Sequence, residues 1–348
     1  MINRWFSQLF GKPKRPIALD IGTGSVKMLN LAENAGTPLV DASQITPLKP
    51  GIVVDGSVQS PEDLGEAIAS TWDRLEVNQR KVGLALPPNL TFVMEINVDA
   101  SRVGEDLEIA IEAEANRSVP YPLDDIYYGY EILGVEGRRK KVRIVCAHKE
   151  RVDERVAAVE HAGLEAAFMD AAQYCVERVL QAVFSAMPLA DKRHPQVYLD
   201  IGESGTRFYV FHQEQLVYLK SLSLGLGVLF ERLDLQYRLS WEEYILMVMR
   251  REHNPSFHEG IANFANLLAQ DINREIELFR ATTSFAMPTK LWLGGGGAAI
   301  LEIQQGLAEL LNLPTEVISL NSLFPPAHPG LAAQYLWVVA LGIAVRKG

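Results

Sequence analysis

Residues 19–27 read Leu19-Asp20-Ile21-Gly22-Thr23-Gly24-Ser25-Val26-Lys27, and residues 199–206 read Leu199-Asp200-Ile201-Gly202-Glu203-Ser204-Gly205-Thr206. The tetrapeptide Leu-Asp-Ile-Gly thus recurs at an offset of 180 residues. In both places apolar residues lead into the aspartate, a turn of small residues follows, and a second apolar stretch comes next, over residues 26–31 and 206–212. Each copy predicts a strand–turn–strand hairpin. The two halves read as related α/β domains, each opening on such a hairpin.

Turns of this composition expose successive backbone N–H groups that can hold phosphate oxygens. An aspartate at the strand end can hold Mg²⁺ through water, because magnesium keeps several waters and takes few carboxylates. The hydroxyls of Thr23, Ser25, Ser204 and Thr206 and the cation of Lys27 complete a polyphosphate site, and two facing hairpins can clamp a nucleotide between domains. Two other phosphate-binding patterns fail. A P-loop needs Gly, four residues and Gly-Lys-Ser/Thr, which is absent. A dinucleotide fingerprint begins at Gly22 and Gly24, but Lys27 stands where its third glycine belongs and a strand follows instead of a helix.

At about 150 residues per domain, 348 residues give about two domains. With 48% hydrophobic and 22% charged residues the chain is neither disordered nor a many-span membrane protein. A net charge of −10 argues against nucleic-acid binding, which needs a basic surface. Two cysteines, Cys146 and Cys175, make no disulfide framework, which fits a reducing compartment. His253 and His258, five apart, do not align on a helix, so metal is expected only at Asp20 and Asp200.

At the N-terminus, Ile2, Trp5, Phe6, Leu9 and Phe10 form a helical apolar stripe, flanked by Arg4, Lys12, Lys14 and Arg15. Such a segment, residues 1–15, suits a membrane surface or a partner, and it lacks the apolar core of a secretory signal. The apolar run of residues 335–345 is too short to span a bilayer and reads as a buried closing helix.

A helix is predicted over Pro61–Leu75 with Leu64, Ile68, Trp72 and Leu75 on one face, then strands over residues 82–86 and 92–98. An acidic helix over residues 105–117 and two strands, residues 127–135 and 142–147, follow. They flank a basic tip, residues 138–141, expected to be a solvated turn. These make residues 87–146 an inserted subdomain. Helices are predicted over residues 149–162 and 171–187. The first lobe takes residues 16–86 and 147–193. The second takes residues 194–228 and 288–348, with a helical insertion over residues 229–287. Its closing helix, residues 331–346, can return to the first lobe. Residues 291–293 run as a strand into Gly294-Gly295-Gly296-Gly297.

Residues 20–27 resemble the first phosphate motif of the actin, Hsp70 and sugar-kinase superfamily, including its lysine. Residues 200–206 resemble the second, with Ser204 where actins have glycine, and residues 293–298 resemble the adenosine motif. Within that superfamily the chain is similar to the FtsA-related PilM family of type IV pilus assembly. The likeness is carried by Gly51-Ile52-Val53-Val54-Asp55-Gly56, by Glu112-Ala113-Glu114 running into Val119-Pro120-Tyr121-Pro122, by residues 147–152 leading to Ala162-Gly163-Leu164, and by Asp170. The resemblance implies a two-lobed actin-like (ribonuclease H-like) α/β fold and an ATP-binding protein, cytoplasmic and peripheral to the bacterial inner membrane. It implies a site for the N-terminal cytoplasmic tail of PilN where the inserted subdomain meets the first lobe. It also implies that Gln173, at a helix start, positions an attacking water, and that Arg274 and Glu275 border the adenine. A small-molecule kinase of the same fold is the alternative; it would need a catalytic base, and only the phosphate-site aspartates offer one. FtsA-like division proteins carry a C-terminal membrane helix, whereas this chain ends at Gly348.

Overall fold

Ile17–Ile21 (β1) and Ser25–Asn34 (β2) pair antiparallel, and the Gly22 N–H donates to the Ser25 carbonyl at 3.0 Å to close the turn. The computed structural model describes residues 15–34, 37–188, 193–240, 243–245, 247, 254–320, 323 and 333–346. The basic, aromatic stretch of residues 1–14 lies outside them. Thr37–Pro47 (β3) extends the hairpin antiparallel, and a small hairpin, Val53–Val54 (β4) and Ser57–Val58 (β5), leads to the helix Pro61–Leu75 (α1). That helix starts where its sequence dictates. Ser60 accepts a hydrogen bond from the Asp63 N–H, Pro61 takes the first turn, and Leu64, Ile68 and Leu75 are buried.

Lys81–Leu86 (β6) then pairs parallel to β1. Phe92–Asp99 (β7), Gly104–Ser118 (α2), Ile126–Glu136 (β8) and Arg139–His148 (β9) form a three-stranded sheet, order β7-β9-β8, with α2 packed on it through Leu107, Ile111 and Ala115. The expected solvated basic tip is only partly one. Lys140 is buried in β9 and donates to the Arg102 carbonyl, and Lys141 pairs with Glu95 at 2.6 Å. Lys149–His161 (α3), Glu165–Ala171 (β10) and Ala172–Ser185 (α4) complete this half. Its sheet runs β10-β6-β1-β2-β3.

The second half repeats the pattern. Gln196–Ile201 (β11), Thr206–His212 (β12) and Gln215–Leu222 (β13) form an antiparallel meander; Leu226–Tyr237 (α5) and His258–Thr282 (α6) follow. Lys290–Gly294 (β14), Leu301–Leu311 (α7), Thr315–Val317 (β15) and Val338–Ala344 (α8) end the described chain. Read in reverse, the first sheet's order β3-β2-β1-β6-β10 is matched strand for strand by β13-β12-β11-β14-β15. β10 and β13 are strands that periodicity did not indicate.

α4 and α8 join the two sheets. Cys175, Val176 and Leu180 of α4 and Val338, Leu341 and Ile343 of α8 share one core with Ala18 and Leu29 of the first sheet and Val197 and Leu199 of the second. The closing helix packs on α4 and β1. A separate core under α1 and α3 covers the other face of the first sheet. Among the described residues no helix is long and apolar enough to cross a membrane.

Candidate functional site

The two hairpin turns face each other across a cavity of about 190 Å³. Asp20, Gly22, Thr23, Gly24, Ser25 and Lys27 line it from the first hairpin, and Asp200, Gly202, Glu203, Ser204 and Gly205 from the second, with Gly296 at one end. The turns touch: a Cβ on Gly24 would sit 3.5 Å from the Glu203 side chain. They are also built alike. Gly202 N–H donates to the Gly205 carbonyl at 3.0 Å, repeating the Gly22–Ser25 bond. Asp20 lies opposite Lys27 in the β1–β2 register, and Asp200 lies opposite Arg207 in the β11–β12 register.

Lys27 Nζ is 2.9 Å from Asp20 Oδ2, and both side chains are largely buried. Burial pushes the Asp200 carboxyl above the usual carboxylate range; Lys27 opposes this, Asp20 adds to it and Arg207 opposes it. Glu203 is likewise pushed up by burial, and its Oε2 accepts a hydrogen bond from the Tyr244 hydroxyl. Tyr198, on β11, lines the cavity with its hydroxyl buried and, among the described residues, without a hydrogen-bond partner. An orphaned buried polar atom beside a buried carboxyl is costly unless a ligand or water completes it.

Several expected site residues face elsewhere. Thr206 is fully buried and its Oγ1 donates to the Leu224 carbonyl, so its hydroxyl is spent within its own lobe. Gly294, Gly295 and Gly297 do not line the cavity. Side chains there would collide with Tyr198, with Asp200 and with Ile201 respectively, so these glycines serve close packing of the chain on itself. Arg274 is turned outward to Asp271 at 2.8 Å, and Glu275 is buried with its Oε2 accepting from the Tyr218 hydroxyl at 2.9 Å; neither lines the cavity. Gln173 is buried at the start of α4, where its amide nitrogen is 3.3 Å from Thr91 Oγ1, while its neighbour Ala172 lines the cavity.

The cavity wall also holds residues outside the sequence motifs: Arg207, Asn89, Tyr198, Tyr244 and, from the closing segment, Tyr335 and Val338. Only Arg207 had a signal in the sequence, since it stands 180 residues after Lys27.

A second depression, of about 590 Å³, lies where β8 and β9 of the three-stranded sheet meet α4. Tyr130, Glu131, Leu133, Arg143, Tyr174 and Glu177 are among its walls. The Arg143 guanidinium sits 5.1 Å from the Tyr174 ring centroid and within 3.5 Å of Glu95 and 3.8 Å of Glu131.

The fold has solved counterparts. A structure described as the PilM-PilN type IV pilus biogenesis complex superposes with a TM-score of 0.77 at 21% identity, covering 96% of this chain and 99% of that one. The ethanolamine utilization protein EutJ from Carboxydothermus hydrogenoformans gives 0.56 at 16% identity, covering 99% and 94%. Both likenesses are to the two-lobed actin-like fold. The profile of the family described as type IV pilus assembly protein PilM matches residues 18–347, nearly the whole chain, and the chain belongs to that family.

Proposed function

We propose that the chain is a cytoplasmic ATP-binding platform of the type IV pilus inner-membrane assembly complex, peripheral to the membrane, and that it holds the N-terminal cytoplasmic tail of PilN. The observation that carries the nucleotide reading is the pair of like-built turns lining one cavity, each with an aspartate opposite a basic residue. The donor set fits Mg-ATP. The amides of residues 23–25 and 203–205 bind phosphate oxygens, Lys27 neutralises them, and Asp20 and Asp200 hold magnesium through water. The unpartnered Tyr198 hydroxyl and the raised Asp200 carboxyl are what a site prepared for a cation-bearing ligand leaves behind. Bound Mg-ATP supplies a polyanion that both lobes grip together, so it favours one lobe arrangement over another. Gln173, one residue beyond the cavity wall, is the candidate for orienting water if ATP is hydrolysed.

The PilN tail fits the depression between β8, β9 and α4, which offers aromatic walls and charges of both signs. That a structurally similar protein is described as a PilM-PilN complex supports this partner. Calorimetry of the chain with Mg-ATP and with a synthetic PilN N-terminal peptide tests both halves. Asp20→Ala is expected to abolish ATP binding and spare the peptide. Unchanged ATP affinity in that variant contradicts the clamp.

A further inference from the structure

Arg207 is where the two hairpins part company. It occupies the position that Lys27 occupies in the first lobe, opposite the motif aspartate and 180 residues further on. Lys27 is neutralised by Asp20 at 2.9 Å. Arg207 makes no ion pair among the described residues. Among the described residues its side chain reaches across the cleft, Nη2 donating to Asn89 Oδ1 at 3.3 Å. Its Nε is buried with no hydrogen-bond partner among the described residues. Arg207 acts on the Asp200 carboxyl only through its charge, and a guanidinium lining the cavity with a donor unsatisfied and a neutral amide on Nη2 can take an anionic ligand through its fork.

We propose that Arg207 is a second polyphosphate-binding cation, the other lobe's counterpart of Lys27, and that it gives up Asn89 for the ligand's phosphate oxygens; this rests on the nucleotide reading above. The exchange is favourable because hydrogen bonds to a charged acceptor are roughly twice as strong as those to a neutral one. It also satisfies the orphaned Nε, since a guanidinium can meet a phosphate through two parallel N–H groups. Asn89 remains anchored after the exchange, because its Nδ2 donates to the Asp55 carbonyl at 2.7 Å. The contact with Asn89 therefore acts as a placeholder. It holds Arg207 extended across the cleft, from the second lobe to the turn Pro88–Leu90 that leads into the inserted subdomain.

The test is calorimetric titration of the full chain with Mg-ATP and with adenosine, for wild type, Arg207→Met, Arg207→Lys and Asn89→Ala. Arg207→Met is expected to weaken ATP roughly tenfold to a hundredfold, the worth of a charge-assisted hydrogen bond, and to leave adenosine unchanged. Arg207→Lys, which keeps the charge and loses the fork, is expected to fall between, and it carries the test if Arg207→Met does not fold. Asn89→Ala is expected to keep or tighten ATP binding, because only the competitor is lost. The proposal is overturned if both Arg207 variants bind ATP within twofold of wild type, if adenosine weakens as much as ATP, or if Asn89→Ala loses as much as Arg207→Met. In those cases wild type still binds ATP and the nucleotide reading stands. Wild type that binds no Mg-ATP overturns that reading, and the Arg207 assignment with it.

Discussion

Gly295 packs its backbone against the carboxylate of Asp200, so closely that a methyl group in its place would collide with Asp200 Oδ1 and the Ile201 carbonyl. Gly295 also holds φ at +72°, in the region that side chains disfavour. Gly295→Ala therefore strains the backbone and displaces Asp200. We expect a loss of about 1–3 kcal/mol in stability, read as a lowered thermal midpoint, together with weakened Mg-ATP binding. A variant that melts like wild type would show that the β14 turn has room to relax.

Asp200 itself is predicted to weaken the fold it serves. Its carboxyl sits above the usual range because burial disfavours the charge. In the unfolded chain it titrates near 3.9. Between those two values the folded state holds more protons, so stability falls as pH rises through that window and stays at the lower level above it. Asp200→Asn removes the buried charge. The variant is expected to melt higher than wild type at pH 7, with the difference closing toward acid pH, and to lose Mg-dependent nucleotide binding. A lower melting temperature at pH 7 would mean that Lys27 and Arg207 repay the burial in full.

Tyr244 and Glu203 form a buried pair at the cleft, with the phenol donating to Oε2. Tyr244→Phe leaves the Glu203 carboxylate without that donor, at a cost of about 1–3 kcal/mol. The removed bond is one that lowers the Glu203 pKa, so that pKa rises further in the variant. The destabilisation is then larger above the Glu203 pKa, where the carboxylate is charged, than below it, where it is protonated. Melting curves across that range check the sign.

How much of this was legible follows from how local each signal is. The Asp-x-Gly hairpins declare themselves because turn chemistry is a matter of a few adjacent residues. The start of α1 declares itself through Ser60 and Pro61 for the same reason. β10 does not. Glu165-Ala166-Ala167-Phe168-Met169-Asp170-Ala171 is poor in branched residues, and it becomes a strand by pairing parallel to β6, from which β7, α2, β8, β9 and α3 separate it in the chain. β13 is mostly half-buried at a sheet edge and lacks clean alternation. At the site, the second phosphate motif ends at Thr206, one residue short of Arg207. No sequence pattern could say that Glu275 would be claimed by Tyr218, or that Gly294, Gly295 and Gly297 would be needed against Tyr198, Asp200 and Ile201, because those partners come from distant strands.

The partner groove yields a prediction that separates it from the cleft. Arg143 draws together Glu95, Glu131 and the Tyr174 ring, and it opposes the burial that pushes the Glu177 carboxyl up. Arg143→Glu places a fourth acid among these groups and removes the cation over Tyr174, so the wall reorganises and its charge reverses. The variant is expected to bind the PilN N-terminal peptide at least about tenfold more weakly, the effect of losing one charged contact. Its affinity for Mg-ATP should be unchanged if the two sites are independent, because Arg143 lines the depression and not the cleft. If ATP instead strengthens peptide binding in wild type, linkage requires the peptide to strengthen ATP by the same factor. Arg143→Glu then abolishes the peptide's effect on ATP at peptide concentrations that saturate wild type. Fluorescence anisotropy of labelled peptide, with and without Mg-ATP, measures both quantities. Equal loss of peptide and ATP binding would instead assign Arg143 to the stability of the inserted subdomain.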